Sequence, residues 1–262
     1  MNLTDTEVLK FLRGTPILLD DICAIYPATL GEIVDIGYST FQKYLGAITA
    51  KKPDKLIIKG EKEFTDFLNK LTDFQYLLFI STMDLDIQTT LKESFRFFCH
   101  EEVMLSFNME QIVIGPIEEQ HILTEDKFYE LQHIIRCMYF LEEIEEESLQ
   151  VRQDDDPRVR AIKEKIAQGN KKREELRKKA MQESGETDIK VSDLIASLAL
   201  NDCELNIGNI WNITYYAFHD QLRRMGWRDQ FNINHRAALA GAKIENGQLK
   251  HWIRSIHNSK ND

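Results

Sequence analysis

Proline and glycine are scarce in this chain, 5 and 12 among 262 residues. Long irregular or collagen-like tracts are therefore excluded, and the abundance of Glu, Lys and Leu favours helix. Cysteine is scarce too. Cys23, Cys99, Cys137 and Cys203 are far apart and form no CxxC pair. That pattern excludes a disulfide scaffold and reads as buried free thiols in a reducing compartment. No apolar run approaches the ~20 residues that a membrane helix needs. The opening MNLTDTEVLKFLRG lacks a basic segment followed by an apolar one, so no signal peptide is expected. The protein is expected to be made and kept in a cytoplasm. The net charge of −10 argues against a general nucleic-acid binder, which needs a concentrated positive surface.

Catalytic signatures are missing as well. The sequence has no GxSxG, no HExxH and no GxxxxGK[ST]. His133 and Cys137 stand i, i+4 on an expected helix, and Cys99 precedes His100. Such pairs can reach a zinc ion, but zinc sites pair their ligands over short spacers. Here the neighbours are strongly apolar, so core thiols and half-buried imidazoles are the better reading. The acidic HEE of residues 100–102 lies between a helix and a strand with no nucleophile beside it. No catalytic residue, metal or cofactor is assigned, and an enzyme is not expected.

What is present is a hydrophobic share of 43 %, enough for a core, distributed over three regions. Residues 1–150 are apolar-rich and mixed in period. A helix over Asp5–Leu12 ends at Gly14. Ile17–Leu19 and Ile22–Tyr26 flank Asp20 and Asp21 as a hairpin. Thr29 and Glu32 form a capping box before a short helix stopped by Gly37. Ser39 or Thr40 caps the next. Phe64, Phe67, Leu68, Leu71 and Phe74 keep helical spacing, continued by Ile87, Leu91, Phe95 and Phe98. VMLSF (103–107) and QIVIG (111–115) read as a second hairpin, HILT as a further strand, and Thr124 as the cap of a long helix. This is an α+β domain, mostly helical, with a small antiparallel sheet. Residues 151–188 read as a charged helical linker. Residues 142–156 hold eight acidic residues against one arginine, and residues 157–182 hold ten Lys or Arg against three Glu. A helix so polar all round cannot be buried.

Residues 189–262 read as a helical domain. In LNIGNIWNITYYAFHDQLRRM, residues 205–225, Asn206 is the expected cap and Gly226 the expected stop. Ile207, Ile210, Trp211, Tyr215, Phe218, Leu222 and Met225 form one broad face. Ile210, Tyr215, Phe218 and Leu222 should be buried, and Asp220, Arg223 and Arg224 exposed. An Ala-rich helix, INHRAALAGAK, and a short one, QLKHWIRSI, should follow. One edge of the principal helix, with Tyr216, His219 and Arg223, is expected to be available to a partner. Trp227 and Trp252 stand at helix ends as packing anchors or interface hot spots.

TPILLDDICAIYPATLGEIVDIG near the start and LNIGNIWNITYYAFHDQLRRM, AALAGAK and LKHWIRSI near the end resemble tail assembly chaperone-like, tail-morphogenesis proteins of tailed phages and prophages of Gram-positive bacteria. The resemblance covers both ends and includes no catalytic motif. It implies a non-enzymatic phage protein that binds tail tube or tape-measure subunits during tail assembly. Two alternatives stand beside it. One is a structural tail or connector subunit of the virion. The other is a phage protein whose 157–182 helix contacts nucleic acid or a host factor, with salt-dependent DNA binding that neutralising Lys171, Lys172, Arg173, Lys178 and Lys179 should abolish.

Overall fold

The computed structural model describes residues 4–53, 62–108, 110–116, 118–141, 189–201, 204–242 and 251–253. The linker expected over 151–188, its basic cluster and Cys203 lie outside the described residues. Within them the fold is mostly helical α+β, as expected, with two small antiparallel sheets.

Helix α1 (Asp5–Arg13) starts at a capping box of Thr4 and Glu7 and ends at Gly14, whose φ of 80° is left-handed. Strands β1 (Ile17–Leu19) and β2 (Cys23–Ile25) pair with Ile17 opposite Ile25. The Thr29–Glu32 box opens α2 (Leu30–Ile36). Helix α3 (Tyr38–Ile48) starts two or three residues earlier than a cap at Ser39 or Thr40 would place it. Gly37 occupies its cap position, and no side chain closes it.

The apolar spacing from Phe64 to Phe98 runs over three helices, not one. Helix α4 (Lys62–Lys70) gives way to α5 (Asp73–Met83) at a capping box of Thr72 and Gln75. Asp84 then caps α6 (Leu85–Cys99) by accepting from the N–H groups of Asp86 and Ile87. Strands β3 (Val103–Ser106), β4 (Gln111–Ile114) and β5 (His121–Leu123) form the second sheet, and α7 (Glu125–Met138) follows. Ile112, Ile114 and Leu123 point into the core. On the opposite face Met104, Val113 and Ile122 lie in one cross-strand row.

The end of α3 is held by α7. Gln132 donates to the Ile48 carbonyl at 2.9 Å and Arg136 to that of Thr49 at 2.6 Å. Carbonyls of the last helical turn have no partner within the helix, so such donors satisfy them. Phe11, Phe41, Phe74, Phe95, Phe98 and Phe128 are fully buried. Phe41 sits among Tyr139 at 5.4 Å, Tyr215 at 5.5 Å and Phe98 at 6.3 Å.

Tyr215 in that cluster belongs to the segment expected to form a domain of its own. Where it is described, this segment packs against the first region. Helix α8 (Val191–Asn201), a 3₁₀ turn (Ile210–Asn212) and α9 (Tyr215–Leu239) follow the linker. Ile195, Leu198, Ile210, Tyr215, Tyr216 and Phe218 share one hydrophobic cluster with residues of α1 to α7. The physical reason lies at Thr214. Its backbone bridges Thr29, its hydroxyl donates to the Phe11 carbonyl at 2.9 Å, and the Tyr215 N–H donates to Ala28 O at 2.9 Å. Leu30 N–H reaches Ile213 O at 3.0 Å. Each bond satisfies a buried backbone group at a helix start or turn.

Helix α9 also corrects the sequence reading. It begins at Thr214, whose hydroxyl accepts from Ala217 N–H at 3.0 Å. Asn206 instead holds a turn, accepting from Gly208 N–H at 2.9 Å. The helix passes through Gly226 and takes in the Ala-rich stretch to Leu239. Of QLKHWIRSI, only His251–Ile253 is described, and it forms a bend, not a helix.

Candidate interaction surface

Helix α9 carries four of the five residues expected to meet a partner, and the structure sorts them. Tyr216 is 1 % exposed. Its ring stacks on Phe140 at 4.7 Å and 19°, and lies 5.2 Å from Phe11. Burial, aided by the Asp220 carboxylate, pushes its hydroxyl pKa well up. Tyr216 is therefore a core residue and not a contact for a partner. The stripe reading placed it beside the buried face, but this part of the helix is covered on more than one side. Tyr215, Tyr216, Ala217, Phe218 and Asp220 are all buried.

Asp220, expected to be exposed, is only 6 % exposed. It accepts from Arg224 Nε at 2.8 Å, one turn further on. A carboxylate can be held at such a site only when a charge and a hydrogen bond meet it. Ile210, Tyr215 and Phe218 are buried as expected, while Leu222 is half-buried.

His219 is half-buried between the ring of Tyr215 at 4.3 Å and that of Phe218 at 5.1 Å. Its Nε2 is buried without a hydrogen-bond partner among the described residues. Burial first, and the Arg223 charge second, lower its pKa to about 4. The ring is neutral at pH 7. The Arg223 guanidinium lies over the Phe140 ring at 5.4 Å, in cation–π range. Tyr139 and Phe140, at the end of α7, were not singled out in the sequence. They anchor this junction: the Tyr139 hydroxyl accepts from Ala28 N–H at 3.0 Å, and Phe140 meets Tyr216, His219 and Arg223.

Beyond Gly226 the helix changes character. No residue of 226–239 is buried. Trp227 is half-buried, Ile233 is exposed, and Leu239 is 77 % exposed. Trp252 is half-buried, and its ring lies 5.8 Å from that of His251, which in turn lies 5.4 Å from Phe231. Leu200 in α8 is 86 % exposed. Met104 and Ile122 add exposed apolar groups on the outer face of the second sheet. Scattered apolar residues are ordinary on a surface, whereas contiguous ones mark contact sites.

The possible ligand pairs resolve differently. Cys137 Sγ lies 3.6 Å from His133 Nε2. Among the described residues no group of three or more His, Cys, Asp or Glu is placed to hold a metal ion. Cys23, Cys99 and Cys137 are free thiols. His100 leaves α6 with a left-handed φ of 58° and stacks on Tyr26 at 4.0 Å. It lines a cavity of about 340 Å³ with Tyr44, Phe97, Glu32, Asp35 and Arg96. Glu32 is already engaged by its capping box and Arg96 by Glu93 and Glu102. Among the described residues no helix is long and apolar enough to cross a membrane.

No curated protein and no solved structure matches the chain. Residues 178–257 match the family model described as YomV second domain, a phage- and prophage-associated family, and over that segment the chain is similar to it.

Proposed function

We propose that this is a non-enzymatic phage protein that binds tail tube or tape-measure subunits during tail assembly. The observation that carries the phage setting is the family match over residues 178–257, which includes the whole of α9. The tail assignment rests on the resemblance of the two terminal stretches to tail-morphogenesis proteins. The exposed apolar residues of the far half of α9, Ile233 and Leu239, support a binding role. A protein that captures subunits before they polymerise needs accessible apolar groups and no catalytic residues.

The partner contacts are then His219 at its exposed edge, Arg223, Trp227 and Trp252, without Tyr216. Affinity capture with tagged protein from phage-infected or induced cells should recover tail tube or tape-measure subunits. Recovery of neither sinks the proposal. Mass spectrometry of purified particles separates a transient assembly factor, absent from them, from a virion subunit present in stoichiometric amounts.

A further inference from the structure

The cavity of about 340 Å³ lies where α2, α3 and α6 meet the segment after β2. Glu93, Arg96, Phe97 and His100 reach it from one face of α6 and its cap, at i, i+3, i+4 and i+7. Glu32 and Asp35 reach it from α2, one turn apart. Two ring pairs wall it. Tyr26 stacks on His100 at 4.0 Å and 16°, and Tyr44 lies 6.1 Å from Phe97 at 49°.

The charges around this cavity do not cancel. Arg96 is the single Lys or Arg among its described lining residues, and it is already taken. It pairs with Glu93 at 3.1 Å and with Glu102 at 2.6 Å. Glu32 commits only Oε2 to its capping box, accepting from the Thr29 N–H at 2.7 Å and the Thr29 hydroxyl at 2.9 Å. Among the described residues, Glu32 Oε1 and the Asp35 carboxylate have no hydrogen bond or ion pair. Two uncompensated negative charges therefore stand at i, i+3 on one helix, where like charges repel, beside the rings of Tyr26, Tyr44 and Phe97.

We propose that this cavity binds a small organic ammonium ion, its apolar groups against the Tyr26, Tyr44 and Phe97 rings and its charge beside Asp35 and Glu32. Aromatic faces attract cations, and several rings together make a cage for substituted ammonium groups. The volume falls within the roughly 300–1,000 Å³ of small-molecule sites. A metal ion fits poorly. The carboxylates and the imidazole surround the space without converging, and no group of three or more His, Cys, Asp or Glu among the described residues is placed to hold one. An anion is disfavoured because two carboxylates already engage Arg96. The carboxylates select the charge and the rings select the size and the apolar groups. The site uses no residue of α9, so it is independent of the partner reading above.

The test uses the full-length chain and two probes of one shape. Choline carries the positive charge, and 3,3-dimethylbutan-1-ol is its neutral carbon counterpart. Saturation-transfer NMR should show choline bound, and calorimetry should find it about tenfold tighter than the neutral alcohol. Phe97→Leu removes a ring face, and Asp35→Asn removes a charge at an exposed position. Each should weaken choline severalfold. Circular dichroism checks that the variants are folded, and Asp35→Asn keeps the test decisive if Phe97→Leu is not. Three results overturn the proposal. One is no transfer to choline at concentrations on the order of 10 mM. Another is equal binding of the two probes, which would make the cavity merely apolar. The third is undiminished choline binding by folded Asp35→Asn, which would place the ion elsewhere.

Discussion

Residues 215–220 and residues 226–239 belong to one helix, yet they are held by different forces. The first part is clasped by α1, the end of α7 and the Ala28–Leu30 turn, with five of its six residues buried. The second part has no buried residue. It is held mainly by local pairs, such as Gln230 Nε2 to Asn234 Oδ1 at 2.9 Å and the Phe231–His235 ring stack at 5.8 Å, with the Phe231–His251 ring contact at 5.4 Å beside them. Pairs at i, i+4 contribute only ~0.2–0.5 kcal/mol each. Continuous helicity therefore says little about where stability resides. The near half belongs to the core, and the far half is a helical extension nucleated by it, since starting a helix costs more than prolonging one.

The comparison breaks most sharply at Phe218. Truncation to Ala removes a fully buried ring at the centre of the near half. It should destabilise the protein by ~3–5 kcal/mol, read as a lower urea midpoint with an unchanged slope. A melting curve like that of the wild type would mean that the near half is not core.

His219 gives the next largest effect. Its folded pKa is about 4, against 6.5 for the free side chain. Between those values the unfolded chain binds a proton that the folded chain refuses, so stability rises with pH there. Acidification from pH 6.5 to 4 should cost about 1–3 kcal/mol through this group, and His219→Phe should flatten that part of the profile. An unchanged acid limb in the variant would assign the loss elsewhere.

Thr214 is the hinge of the comparison, since it caps α9 and ties it to Phe11. Thr214→Ala removes both hydrogen bonds of a buried hydroxyl. The expected cost is ~1–2 kcal/mol, and Thr214→Ser should restore most of it. A variant as stable as the wild type would show that the junction is held by the backbone bonds alone.

Much of this junction was hidden from the sequence for identifiable reasons. The boxes at Thr29 and the two hairpins were legible because capping and alternation are local patterns. The break at Thr72 had the same signal, Thr72-Asp-Phe-Gln75, but the apolar spacing from Phe64 to Phe74 ran across it and masked it. Tyr216 and Asp220 were misplaced because a single apolar stripe assumes one covered face. The covering elements, Phe140 and Phe11, are distant in sequence. Gly226 reads as a stop in the sequence, yet a glycine inside a helix costs only ~1 kcal/mol against Ala. It ends a helix only where a left-handed turn follows.

That cost makes Gly226 the test of the boundary between the halves. A Cβ built there meets nothing within 4 Å. Gly226→Ala should stabilise the protein by ~0.5–1 kcal/mol if the helix is continuous in solution. A loss of stability would mean that the two halves bend against each other at this residue.

Leu239 should give the smallest change. It is exposed in the last turn of α9, so Leu239→Ser removes no core contact and should shift stability by no more than ~0.5 kcal/mol. Its value lies in the second readout. If the far half carries the partner, Leu239→Ser weakens recovery of tail subunits while the melting temperature stays put. Phe218→Ala lowers both together, because it unseats the whole helix. Equal recovery by Leu239→Ser and wild type would move the docking surface away from the end of α9. A fall in melting temperature would show instead that Leu239 packs in solution and that the far half is not an unsupported extension.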